Sequence, residues 1–176
     1  NGKFLAVAFT AAAACLGFAS DAFAGNTGTI RVERDAIGTD AYSGGTAGEF
    51  KVTLFTRLNV PALGTDVRVG NGVFQTFCME FNELLTPGVT YNWELNTAAV
   101  NGGVSGGNPD PLDARTAYLY TQFWHGTLSN YAFDDLGDQA GERGLDAKHL
   151  QDAIWYLEGE LASLTAGSKA AVWVSQ

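Results

Sequence analysis

The run "VFQTFCMEFNE" (73–83) holds the one thiol that matters in this chain, Cys78, with Thr76 and Glu80 two positions to either side. A thiolate is a strong nucleophile, and Glu80, two residues away on the same strand face, could accept the thiol proton. An ionised carboxylate so close would also raise the thiol's pKa, which opposes attack. If the run is a strand, alternation puts Val73, Gln75, Phe77, Met79 and Phe81 on one face, the expected core side. Phe74, Thr76, Cys78 and Glu80 then share a mixed face. A structural cysteine packs as a small hydrophobe and would be expected among the apolar residues.

The second cysteine, Cys15, lies in a segment that reads as an export signal. Lys3 precedes an alanine-rich apolar run from Phe4 to Ala19, and Ala22-Phe23-Ala24 supplies a small-x-small cleavage pattern before Gly25. The expectation is therefore a removable signal at 1–24 and a single domain at 25–176, exported to the cell surface or medium. A mature chain with one thiol has no internal bridge, so Cys78 has an intermolecular, reactive or inert fate. The chain begins with Asn and stops within the apolar "AAVWVSQ", and it reads as a piece lacking its initiator and a C-terminal portion. A net charge of −9 argues against nucleic-acid partners and anionic lipid.

The elements that must position Cys78 come in two blocks. Alternation predicts strands at 29–35, 49–60 and 89–95, and a hairpin around Asn71-Gly72 whose second strand carries Cys78. After a glycine-rich loop at 101–111, the period becomes helical. Asp110 is expected as an N-cap with Pro111 at the first helical position, and Leu112, Thr116, Leu119 and Phe123 form a stripe ending at Gly126. Asp146 is expected to cap a second helix bearing Leu150, Ile154, Leu157 and Leu161, and a third helix is expected to start within 168–176. The fold class is α+β, a β-sandwich or barrel with helices following.

"TFCME" in a strand and "LQDAIWYLEGE" at a helix start resemble the motifs of thioester domains of bacterial surface proteins. In that family an aromatic-Cys-apolar strand motif pairs with an apolar-Gln-x-x-apolar-Trp helix motif. Here the matches are Phe77-Cys78-Met79 and Leu150-Gln151-Asp152-Ala153-Ile154-Trp155. The resemblance implies a Cys78–Gln151 thioester and a barrel or sandwich with a helical subdomain packed over one side. It implies covalent attachment, once per molecule and without turnover, to an extracellular nucleophile such as a protein lysine amine. Trp155, one helical turn beyond Gln151, would shield the ester from water. The body, with "TAYLYTQFWHGTL" (116–128), also resembles exported proteins of the PEP-CTERM class, although the Pro-Glu-Pro tail itself is not in the sequence.

Two other readings stand beside this one. The first is a non-covalent matrix protein binding exopolysaccharide, with Cys78 inert. The second is a glycosidase using Glu80 with Glu83 or Glu158 with Glu160. His125 and His149 lie on separate elements with no second cysteine near them, and the acidic loop Asp134, Asp135, Asp138, Glu142 lacks the EF-hand spacing. No metal or cofactor is expected, and the oligomeric state is not legible.

Overall fold

The computed structural model describes residues 4–7, 27–33, 49–54, 73–82, 86–95, 98–99, 103–105, 109–133 and 142–176. They form a mixed α+β fold. Four antiparallel strands, β2 (Thr27–Glu33), β3 (Phe50–Leu54), β4 (Val73–Thr76) and β5 (Thr90–Leu95), lie in the order β5-β2-β3-β4. A short strand β1 (Phe4–Val7), inside the run read as an export signal, lies parallel to β5 at the edge. A two-residue ladder joins β6 (Ala98–Ala99) to β7 (Asp110–Pro111). The helices are α1 (Ala114–Trp124), α2 (Glu142–Leu157) and α3 (Lys169–Val174). Among the described residues the sheet does not close into the expected barrel.

Cross-strand partners show why the sheet has one apolar face. Ile30 opposes Tyr91, Val32 opposes Val52, and Val52 opposes Phe74, and all five are buried. The other face carries Arg31, Glu33 and Lys51, and Glu33 pairs with both cations at 3.1 Å. Phe74, expected on the mixed face of its strand, is fully buried against Trp124 of α1, with ring centroids 6.3 Å apart. Phe81, expected in the core, is 46% exposed. Within β4 the expected faces are exchanged, because Phe74 and Thr76 pair with the buried Val52 and Phe50, and beyond it the alternation fails because β4 ends at Thr76. Residues 77–82 are not strand, so the period of two has no meaning beyond it.

The helices bury a common core of Leu119, Phe123, Leu150, Ile154 and Trp173, joined by Leu128 and Tyr131. Two expected helix starts are displaced. Asp110 and Pro111 lie in β7, and Asp113 caps α1 by accepting the Arg115 N–H at 2.7 Å. Asp146 is inside α2 rather than at its start. It is 1% exposed, accepts the Ala132 N–H at 2.8 Å and pairs with Lys169 at 2.6 Å. An aspartate with such tertiary partners has no need of a cap position. The expected stop at Gly126 holds, with φ at 69°, a conformation that glycine adopts without steric cost. Ser168 caps α3, within the expected third helix. The Asn71-Gly72 turn and the loop around Asp134, Asp135 and Asp138 lie outside the described residues.

Candidate functional site

Gln151 stands in the middle of α2, on a helix buried on most of its circumference. The carboxamide is fully buried, and a buried amide must find partners for both its ends. It finds them on one residue. The Cys78 N–H donates to Gln151 Oε1 at 2.9 Å, and Gln151 Nε2 donates to the Cys78 carbonyl at 2.7 Å. A carboxamide gripped this way is held against the backbone of the residue that carries the thiol. Seventy-three positions apart in the chain, the two residues meet.

The surrounding packing holds that register. Tyr120 on α1 donates its hydroxyl to the Gln75 carbonyl at 2.7 Å, three residues before Cys78. Phe77 stacks edge-on against Phe123, centroids 5.1 Å apart. Cys78 is half-buried and carries no disulfide. Gln151, by contrast, is fully buried.

Trp155 is 5% exposed and meets Phe81 edge-to-face at 4.8 Å. Glu80 does not keep the position that a strand would have set beside Cys78. It is 4% exposed and gathers with Asp110 and Glu160, one carboxylate oxygen of each lying within 4.8 Å of the others. Glu160 accepts three backbone N–H groups, from Phe81 at 3.0 Å, Val104 at 2.8 Å and Ser105 at 2.9 Å. Although burial opposes them, these bonds hold its pKa below the ordinary 4.5. Asp110 is pushed up by burial and then by the charge of Glu160.

Of the paired carboxylates considered for glycosidase chemistry, Glu83 lies outside the described residues. Glu158 and Glu160 face different partners, since Glu158 accepts the Asp113 N–H at 3.3 Å where α1 begins. Sequence reasoning missed the meeting of Glu80, Asp110 and Glu160. Positions spread over three elements leave no spacing signature, and the only hint was the glycine-rich loop before Asp110. It also missed the buried Glu49–Arg143 pair at 2.6 Å, to which Tyr131 donates at 2.9 Å.

No protein-family model matches the chain, and neither a curated protein nor a solved structure matches it.

Proposed function

We propose that this protein forms an internal thioester between Cys78 and Gln151 and uses it to attach covalently to a nucleophile on another surface. The reading takes the sheet and its helices as the counterpart of the barrel or sandwich with a helical subdomain found in thioester domains. One observation carries it: among the described residues, the buried Gln151 carboxamide bonds the N–H and C=O of the residue that bears the thiol.

The steps balance. Cys78 Sγ attacks Gln151 Cδ and gives up its proton, and the C–N bond breaks with that proton leaving on nitrogen as ammonia. An amide is a poor electrophile, so the reaction depends on proximity and on stabilising the oxyanion at Oε1. The Cys78 N–H at 2.9 Å already addresses that oxygen. A lysine amine on the target then attacks the thioester carbon, the thiol leaves and takes up a proton, and an amide joins target to Gln151. Export and a surface target are part of this proposal. Trp155 and Phe81, stacked on each other, are the aromatic cover that would slow hydrolysis.

Intact mass tests it. The wild-type chain is expected to weigh one ammonia less than its sequence, and Cys78→Ala to have its full mass. Methylamine is expected to add to the wild type, to release a titratable thiol and to leave Cys78→Ala untouched. A wild-type chain of full mass that ignores methylamine would overturn the proposal and leave a non-covalent matrix protein, in which the Gln151 clamp is structural.

A further inference from the structure

Glu80, Asp110 and Glu160 come from the exit of β4, from β7 and from the turn after α2, and all three are buried. Carboxylates are rarely buried unless paired, and like charges at this range repel strongly. Among the described residues no ion pair involves Asp110 or Glu160. Glu160 has its three backbone donors, but Asp110 does not. Its Oδ2 is buried without a hydrogen-bond partner, in a residue 4% exposed that turns its carboxylate to the other two. A buried oxygen left so costs stability unless something other than a protein donor meets it.

The chain also shapes itself around these oxygens. A Cβ added at Gly103 would lie 1.9 Å from Glu80 Oε2 and 2.3 Å from Glu160 Oε2. The glycine-rich loop is therefore pressed onto two carboxylates at a point where only glycine fits, and those two oxygens are near neighbours. Such an arrangement gathers negative charge from three elements around one small volume.

We propose that Glu80, Asp110 and Glu160 bind a calcium ion. The donors are all hard oxygens, which suit calcium or magnesium rather than a transition metal. One oxygen from each residue lies within 4.8 Å of the others, close enough for all three to reach one ion, and carboxylates set by three separate elements suit calcium's flexible geometry, whereas magnesium demands a near-ideal octahedron. Calcium's six to eight positions leave room for water beside three carboxylates. The ion would tie the loop at 103–105 and β7 to the end of α2, beside the Phe81–Trp155 contact. The proposal rests on the carboxylates alone and not on the Cys78–Gln151 reaction.

The full chain, stripped with EDTA, is titrated with calcium chloride by calorimetry and followed by thermal unfolding. Calcium is expected to bind one-to-one and to raise the Tm, with magnesium giving a smaller rise. Asp110→Asn, which leaves the β7 backbone pairing in place, is expected to weaken calcium binding at least tenfold, and Glu80→Gln to do likewise. Cys78→Ala is expected to keep the full calcium response, so loss of the thioester and loss of the ion are separately visible. An Asp110→Asn chain that binds calcium as the wild type does would place the ion elsewhere and overturn the proposal. So would an absence of any calcium effect together with a higher Tm for Asp110→Asn in EDTA, the signature of carboxyls sharing protons. An equal response to magnesium would overturn the choice of calcium.

Discussion

The two partners of the Cys78–Gln151 clamp contribute to the fold very unequally. Cys78 meets Gln151 through its backbone N–H and C=O, so Cys78→Ala keeps both of these hydrogen bonds. It removes one sulfur from a half-buried position, a change of about 1 kcal/mol. Gln151→Ala empties a fully buried site and strands the Cys78 N–H and C=O. Each buried group left without a partner costs about 1–3 kcal/mol. In a Cys78→Ala background, where no thioester can form, Gln151→Ala is therefore expected to lower unfolding stability by about 2 kcal/mol or more. Urea denaturation of the single and double variants measures it. Equal stabilities would mean that the carboxamide is not seated on Cys78. Cys78→Ala is thus the clean chemical control, because its full mass cannot be blamed on a lost fold.

At the scale of elements, caps decide where α1 begins. Asp113 accepts the Arg115 backbone N–H at 2.7 Å and bonds its guanidinium at 2.9 and 3.1 Å. The Arg115 side chain does most to hold the Asp113 carboxyl below its usual 3.8. Asp113→Ala is expected to cost about 1 kcal/mol, as loss of an N-cap does. A depressed carboxylate contributes stability above its unfolded pKa and loses it as pH falls through the folded value. The gap between wild type and Asp113→Ala should therefore be full above pH 3.8 and shrink below it in pH-resolved unfolding curves. A gap that stayed constant below that pH would remove the carboxylate from the account. This cap also marks how far local pattern could be read. The stripe Thr116, Leu119, Phe123 and the stop at Gly126 were legible because helical period and glycine's freedom are local. The start was not, because Asp110-Pro111 makes an equally good local cap and only pairing with Ala98–Ala99 draws it into β7. Cys78 and Gln151 were legible as motif residues, whereas the strand expected to carry Cys78 ends at Thr76. The carboxylate cluster was not legible at all, since only tertiary folding brings positions 80, 110 and 160 together.

Over the whole molecule, one segment runs alongside α2 and is fastened to it at three points. Arg143 reaches Gln75 Oε1 at 3.3 Å, Gln151 grips Cys78, and Glu160 accepts the Phe81 N–H at 3.0 Å. The spacings agree. Eight residues of helix from 143 to 151 rise about 12 Å, and the three residues from 75 to 78 span at most about 10–11 Å. The contacts follow the same order in both, so the two segments run in the same direction, with long side chains bridging the small difference in length, and each fastening supports the register of the next. The first depends on a buried ion pair that holds Arg143 in place. Glu49 is fully buried, with Arg143 bonded to it at 2.6 and 3.2 Å and Tyr131 at 2.9 Å. Removing one partner of a buried pair strands the other's charge, a loss of about 3–5 kcal/mol, whereas replacing both by apolar residues is often near neutral. Arg143→Met is expected to lose stability on that scale by chemical denaturation, and Arg143→Met with Glu49→Leu to recover most of it. Because the fastenings at Cys78 and Phe81 remain in the double variant, its intact mass should still fall short by one ammonia. A folded double variant with full mass would show that the Glu49–Arg143 pair, and not the local clamp, sets the approach of Gln151 to the thiol.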